Sequence, residues 1–130
     1  MSEDIKNKVK QTFIDSISVK QEIVTNESYR VLLDAGDVIA NSISNGGKLL
    51  LCGNGGSAAD AQHLAAEFLI RLTSEVNRDS IPALSLAQDT STLTACINDY
   101  GSDDIFKRVF SGLSSKTLLI NISISEVSLI

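Results

Sequence analysis

The sequence predicts an α/β fold in three layers, with helices on both faces of a parallel sheet and two further helices ahead of the first strand. From residue 48 onward, short apolar runs bounded by glycine or proline alternate with segments of helical pattern. That alternation is typical of buried parallel strands joined by crossover helices. Before residue 48, apolar residues recur at helical spacing among charged ones, which predicts amphipathic helices.

Two N-terminal helices are predicted over about residues 3–45. The second begins near Asn26 or Ser28 and stops at Asn45-Gly46-Gly47, because glycine commonly ends helices. Both helices carry apolar stripes that a small sheet cannot fully cover, so we expect self-association. The stripe of the first helix consists of Ile5, Val9, Phe13, Ile14, Ile17 and Ile23.

An α/β core is predicted over about residues 48–130, and with the helices it makes one domain spanning 1–130. The predicted strands are Lys48 to Cys52, Ile81 to Leu86 and Thr117 to Ser123. The predicted helices start at about Ser57 or cover Thr90 to Ile97 and Asp103 to Phe110. Since a parallel strand normally needs a covering helix after it, and none follows the third strand, we expect this domain to be incomplete.

Composition excludes several classes of function. The formal charge of −5 and the pI near 4.7 argue against DNA or RNA binding, which usually needs clustered Lys and Arg. The longest apolar runs are far shorter than the ~20 residues that span a bilayer, so we expect no membrane partner. Cys52 and Cys96 lack paired spacing, and no secretory leader precedes them. A cytoplasmic setting is therefore expected.

The strongest local signal is a buried strand that runs through Gly53-Asn54-Gly55-Gly56-Ser57 into a helix. Such a turn lets backbone N–H groups converge, and the start of the helix adds partial positive charge, so it suits a phosphate. Ser57 is predicted to be both the N-cap and a hydroxyl donor. The alternative is a tight strand-to-helix turn in which the glycines only supply positive φ.

A polar stripe follows on the predicted third helix, formed by Asp60, His63, Glu67 and Arg71. His63 and Glu67 lie four residues apart, so both side chains can reach one metal ion or one substrate. At ~1.5 Å of rise per residue, they lie ~9 Å and ~15 Å from Ser57, a span that fits a phosphorylated sugar. The alternative is a solvated stripe with a Glu67–Arg71 ion pair.

The segment from Cys52 to His63, then Ala66-Glu67 and Asn98-Asp99-Tyr100-Gly101, together resemble the phosphoheptose isomerases of the sugar isomerase (SIS) family. By itself the Asn98 segment is equally typical of a capping turn. The resemblance runs from about residue 5 to about 123. It implies a sedoheptulose 7-phosphate isomerase that forms D-glycero-D-manno-heptose 7-phosphate through an enediol, binds zinc, and assembles as a homotetramer with active sites between subunits.

The resemblance also assigns roles to single residues. It implies that His63 and Glu67 are zinc ligands, and that Glu67 is the catalytic base that moves a proton between C1 and C2. Ser57 would contact the phosphate. The full set of substrate contacts that it implies is Asn54, Gly55, Gly56, Ser57, Glu67, Asn98, Asp99, Ser123, Ser125 and Ser128.

The chain departs from the family's pattern near its end. The second phosphate loop of the family reads Ser-Thr-Ser-Gly-Asn-Ser, whereas Ser123 to Ser128 here keeps the serines and places Glu126 where the glycine stands. The family's further Gln and His, which complete the zinc site and supply the partner acid, have no counterpart. We therefore expect impaired isomerase activity. The alternative is a non-catalytic SIS-type module that binds phosphosugars or the bacterial replication initiator.

Overall fold

A computed structural model describes residues 2–113 and the backbone of residues 117–121. Its elements are helix α1 (Glu3–Thr25), helix α2 (Arg30–Ser44), strand β1 (Lys48–Cys52), helix α3 (Gly56–Leu69), strand β2 (Ala83–Ser85), helix α4 (Thr90–Tyr100), a 3₁₀ turn (Ser102–Asp104), helix α5 (Ile105–Leu113) and strand β3 (Thr117–Asn121). The chain divides into two compact units, residues 1–38 and 39–130.

The N-terminal unit contains α1 and most of α2, as the helical periodicity predicted. Neither helix has a buried residue, and Phe13 is 68% exposed. The connection differs from the prediction, because α2 begins at Arg30 rather than near Asn26 or Ser28. Glu27 has a positive φ of 54° and Ser28 N–H donates to the Ile23 carbonyl, so these residues close α1. Their own carbonyls accept the N–H groups of Arg30 and Val31 at the start of α2.

The stop predicted for α2 is confirmed. Gly46 has a φ of 76° and donates its N–H to the Ile43 carbonyl, while Gly47 donates to the Ser42 carbonyl, both at 2.9 Å. These two bonds make a Schellman motif, which needs the left-handed conformation that glycine adopts without strain. The chain is thereby turned directly into β1.

The sheet is parallel, with the strand order β2-β1-β3 among the described residues. β1 has the predicted bounds and lies in the centre. β2 is shorter than predicted, because the N–H of Ile81 donates to the Phe68 carbonyl at the end of α3 and Pro82 has no N–H. β3 begins at Thr117 as predicted, and the last two residues of its predicted range lie outside the described residues.

Helices cover both faces of the sheet, which confirms the three-layer prediction. Leu49 and Leu51 point to the α3 face and Leu50 to the α5 face, as the alternation of side chains along a strand requires. One cluster contains Leu49, Leu51, Ala61, Ala65 and Ala83, with Phe68 packed against it. The other contains Leu50, Cys52 and Leu86, with Phe106, Val109, Phe110 and Leu113 packed against it.

Several helix bounds differ from those predicted. α3 ends at Leu69, so Arg71 lies beyond it, and α4 extends to Tyr100. α4 is capped by Asp89, whose carboxylate accepts from the N–H of Ser91. In the part of the chain that the structure describes, no helix is both long and apolar enough to cross a bilayer.

Replacing Gly53 by Ala is expected to destabilise the chain. A Cβ at this position would lie 2.7 Å from the carbonyl carbon and oxygen of Ser57, and the backbone would have to move. We expect a loss of about 1–3 kcal/mol, measured by urea unfolding. The control is Gly36→Ala in α2, where a Cβ meets open space and a gain of about 0.5–1 kcal/mol is expected. Equal stabilities of the Gly53 variant and the parent chain would contradict the close approach.

Replacing Asp89 by Asn is expected to change how stability depends on pH. Hydrogen bonds from Thr92 and Ser91 lower the pKa of Asp89 from its usual 3.8. The ionised carboxylate therefore stabilises the folded state above the unfolded pKa, and this contribution is lost as pH falls through the folded pKa. In thermal melts the parent should exceed Asp89→Asn in stability at pH 6, with the difference shrinking below about pH 4. A difference that stays constant down to pH 2 would exclude the charge as its cause.

Candidate functional site

The predicted Gly-rich turn lies at the carboxyl end of the central strand, where open parallel sheets bind ligands. Gly53 is buried, and Gly55 has a φ of 55°, a conformation that side chains disfavour. The prediction that Ser57 caps α3 is wrong. The N-cap is Gly55, the helix begins at Gly56, and Ser57 is the second residue of the helix, only 5% exposed.

Some amides of this turn already have partners. The N–H of Ser57 donates to the Asn54 carbonyl at 3.0 Å, and the N–H of Ala58 donates to the Gly55 carbonyl at 3.1 Å. The exposed part of the turn is Asn54 to Gly56, and the positive end of the α3 dipole points toward it. An anion that approaches the start of α3 would therefore contact the exposed backbone of Asn54 to Gly56. Phosphate binding at the turn stays a prediction.

Cys52 precedes the turn and is 3% exposed. Burial raises the pKa of its thiol, because a thiolate is poorly solvated away from water. The thiol is therefore protonated at neutral pH and is a poor nucleophile. It contributes to the packing under the turn, in the cluster on the α5 face.

His63 and Glu67 face each other on α3 as the four-residue spacing predicted. His63 Nε2 lies 3.2 Å from Glu67 Oε1, with the imidazole 77% exposed and the carboxylate 25% exposed. The alternative Glu67–Arg71 ion pair is wrong for the described residues, because α3 ends before Arg71 and the partner of Glu67 is His63. The stripe thus presents an imidazole and a half-buried carboxylate side by side.

This pair offers two metal ligands. Imidazole nitrogen and carboxylate oxygen both suit zinc, and a separation of 3.2 Å allows both to reach one ion. Within residues 2–113, no group of three or more His, Cys, Asp or Glu side chains is placed to hold a metal. The donor set therefore fits part of a zinc site, and binding of zinc stays a prediction.

Glu67 also borders an apolar pocket of about 350 Å³. Leu64, Phe68 and Ile81 form much of its wall, and Arg78 is the other charged side chain that lines it. Apolar walls keep water away from a carboxylate and strengthen its interactions with charged groups. Glu67 therefore has a drier environment than the imidazole beside it.

Asn98 and Asp99 lie in the last turn of α4, where the side-chain amide of Asn98 donates to Asp99 Oδ1 at 2.9 Å. Asp99 lines a pocket of about 500 Å³ between α4 and α5, together with Tyr100 and Arg108. The Arg108 guanidinium stacks 3.5 Å from the centre of the Tyr100 ring. Within the described residues, this pocket and the one beside Glu67 share no lining residue.

The substrate contacts predicted for Asn98 and Asp99 stay predictions. Those predicted for Ser123, Ser125 and Ser128 lie outside the described residues.

The sequence reasoning missed Arg78. Its Nη2 donates to the backbone carbonyl of Glu67 at 2.6 Å, and Arg78 lies 11 positions further along the chain, in the irregular segment after α3. Helical spacing identifies neighbours three and four residues apart, but it gives no signal for a contact through a loop. Arg78 therefore joins the candidate site on structural grounds alone.

Comparisons with known proteins identify the family of this chain. A family model described as SIS domain matches residues 12–128. A phosphoheptose isomerase of Chlorobaculum parvum is 54% identical over 89 residues, which are 68% of this chain and 43% of that protein. A phosphoheptose isomerase of Thermodesulfovibrio yellowstonii is 38% identical over 126 residues, which are 96% of this chain and 61% of that protein.

Solved structures give the same result. The phosphoheptose isomerase of Francisella tularensis matches with a TM-score of 0.85 at 32% identity, covering 96% of this chain and 63% of that one. The enzyme of the same name from Neisseria gonorrhoeae matches with a TM-score of 0.78 at 39% identity, covering 93% and 61%. The chain thus spans only about two fifths to three fifths of the length of these relatives. Its sequence and its fold place it in the SIS domain family.

Proposed function

We propose that this chain carries the sugar-phosphate site and the catalytic base of a phosphoheptose isomerase, which interconverts sedoheptulose 7-phosphate and D-glycero-D-manno-heptose 7-phosphate. The observation that supports this most is the contact of 3.2 Å between His63 and Glu67 on the helix that starts at the turn. The likeness to proteins named phosphoheptose isomerase also supports it.

Glu67 is the proposed base. Its carboxylate takes a proton from C1 of the ketose, the electron pair of the C1–H bond forms a C1=C2 double bond, and the C2 oxygen gains a proton to give the enediol. A proton then returns to C2, the C1 hydroxyl loses its proton, and the C1=O bond forms to give the aldose. The half-buried setting of Glu67 suits this role, because partial exclusion of water strengthens the interactions of a carboxylate with the groups it contacts.

The turn from Asn54 to Gly56 is proposed to hold the phosphate at the other end of the substrate. Its backbone is exposed, and the start of α3 favours an anion there. A phosphate fixed at this point lets the extended sugar lie along α3, with its C1 and C2 near Glu67. Binding energy at the phosphate then orients the reacting carbons.

Zinc is the proposed metal, and His63 and Glu67 are the residues of this chain that would hold it. A bound zinc ion would supply Lewis acidity toward the oxygen atoms of the sugar. The resemblance implies that the remaining ligands and the partner acid come from a family segment with no counterpart here. The direct contact of 3.2 Å places the imidazole of His63 and the carboxylate of Glu67 side by side on α3.

A cytoplasmic homo-oligomer, a tetramer by the family resemblance, is the proposed form of the protein. The exposed apolar side chains of α1 and α2 support self-association. They include Phe13 at 68%, Val31 at 69% and Leu32 at 72% exposure. Apolar surface on this scale is rarely left facing water.

Glu67→Gln is expected to abolish proton exchange at C1. The parent chain is incubated with zinc and sedoheptulose 7-phosphate in D₂O, and loss of the C1 proton signal is followed by NMR. This exchange needs a base but no completed isomerisation, so it tests the residues that the chain contains. The variant should exchange about 10²- to 10⁴-fold more slowly, which is the usual loss when a general base is removed.

The matched control is Glu75→Gln, the same substitution at an exposed glutamate beyond α3, which should exchange at the parental rate. A parent chain that binds the sugar phosphate without exchanging its C1 proton would favour the non-catalytic SIS-type module. A chain extended by the C-terminal segment of a relative should convert the substrate fully, whereas the 130-residue chain should convert little of it. Full conversion by the short chain alone would contradict the assignment of the partner acid.

Phe13→Glu combined with Leu32→Glu is expected to weaken self-association, because charges placed on the apolar stripes must be desolvated at an interface. Analytical ultracentrifugation at micromolar concentration should show the parent as an oligomer and the double variant as smaller species. The control is Lys8→Glu with Asp37→Lys, which changes charges on the side of each helix away from most of its apolar residues. A parent chain that sediments as a monomer would refute the proposal.

A further inference from the structure

We propose that Arg78 is a positioning residue that holds Glu67 in register with His63 by binding the backbone carbonyl of Glu67 itself. The inference rests on the proposed function, since it names a residue that positions the proposed base. The feature that suggests it is the way in which α3 ends. Glu67 lies only two residues before the last residue of that helix.

The end of α3 lacks the usual means of closure. The last carbonyls of a helix have no partner within it, and a glycine in the left-handed conformation commonly satisfies them. Here the C-cap is Ile70, with φ −102° and ψ −81°. Three donors bind these carbonyls: Ile70 N–H makes the ordinary helical bond to Ala66, whereas Arg78 Nη2 and Ile81 N–H come from the returning chain and bind the carbonyls of Glu67 and Phe68.

Of these three donors, only Arg78 acts through a side chain, and its bond is the shortest at 2.6 Å. Its other terminal nitrogen, Nη1, donates to the Asp79 carbonyl at 2.9 Å, so the guanidinium is fixed between two carbonyls. A charged donor makes a stronger hydrogen bond than a neutral one, and a positive charge at a helix C-terminus is favourable. Arg78 is half-buried, which strengthens the bond further.

The hydrogen bond from Arg78 affects the candidate site because the carbonyl that it binds and the carboxylate that contacts His63 both belong to Glu67. Helices fray in their last turn, and fraying at Glu67 would turn its side chain away from His63, four residues earlier. The contact of 3.2 Å between them requires helical geometry up to Glu67. Arg78 therefore maintains the relative position of the two side chains that carry the proposed chemistry.

The test compares Arg78→Gln and Arg78→Lys with a matched control, Lys48→Gln. Lys48 Nζ donates to the Leu113 carbonyl at the end of α5, at 3.3 Å, so this control removes a cation from another helix C-terminus. His63 is the only histidine of the sequence, and its imidazole ¹⁵N signal is therefore unambiguous. Glu67→Gln defines the signal of an imidazole without its carboxylate partner. All spectra are recorded on the full chain without metal at one pH.

Arg78→Gln is expected to shift the His63 signal toward the value in Glu67→Gln, and Arg78→Lys to restore most of the difference. Lys48→Gln should leave the signal at its parental position even if the chain becomes less stable. A parental signal in Arg78→Gln would overturn the proposal. The proposal would also fail if Lys48→Gln shifted the signal equally, or if Glu67→Gln left it unchanged.

Proton exchange at C1 gives a second readout. Arg78→Gln should lower the kcat of this exchange about tenfold to a hundredfold, as expected for a misplaced catalytic group. KM should change less than about twofold, because the phosphate contacts remain. A parent chain without exchange would contradict the proposed function alone, since the imidazole signal still decides the role of Arg78. A rise in KM at unchanged kcat would overturn the positioning role.

Discussion

The close approach between the end of β1 and the start of α3 is the constraint on which the site depends. Gly53 lies so near Ser57 that a single Cβ would collide with the helix backbone. Only this approach lets a central strand whose last four residues are buried lead through three residues into a helix that packs on the same strand. The direction of α3 across the sheet, and with it the placement of His63 and Glu67, follows from that junction.

Two opposite demands meet on α3. Ala61 and Ala65 are buried against the sheet, and their small side chains let the helix lie close to β1. The opposite side of the helix carries the exposed imidazole of His63. Glu67 lies at the border between these environments, with part of its surface in an apolar pocket. Such a border suits a carboxylate proposed to transfer a proton, because the apolar side limits its contact with water while the exposed side leaves room for a substrate.

The two ends of α3 are stabilised by different hydrogen bonds, and each end is proposed to contribute differently to the site. At the start, backbone carbonyls of the turn occupy the first amides and glycines supply the geometry. At the end, a long irregular segment folds back and donates to the last carbonyls. The first arrangement leaves an exposed Gly-rich backbone suited to an anion. The second keeps the helical register up to the residue proposed as the base.

Local sequence determined much of this protein. Helical periodicity and glycine stops predicted α1 and the end of α2, and a glycine-bounded apolar run predicted β1 with its correct bounds. These features depend on interactions within a few residues, which sequence patterns record directly. The contact of His63 with Glu67 was predicted for the same reason, because four-residue spacing on a helix brings two side chains together.

The tertiary structure decided what depends on contacts distant in sequence. β2 is short because Ile81 binds the end of α3 rather than its neighbouring strand. α3 stops at Leu69, with its final carbonyls bound by the returning chain, so Arg71 cannot pair with Glu67 through helical spacing. Ser57 is buried inside the first turn rather than capping it, since the N-cap is Gly55, two residues before the predicted one. In each case these bounds depend on how backbone groups are hydrogen-bonded in the folded chain. A local sequence pattern does not reveal such contacts.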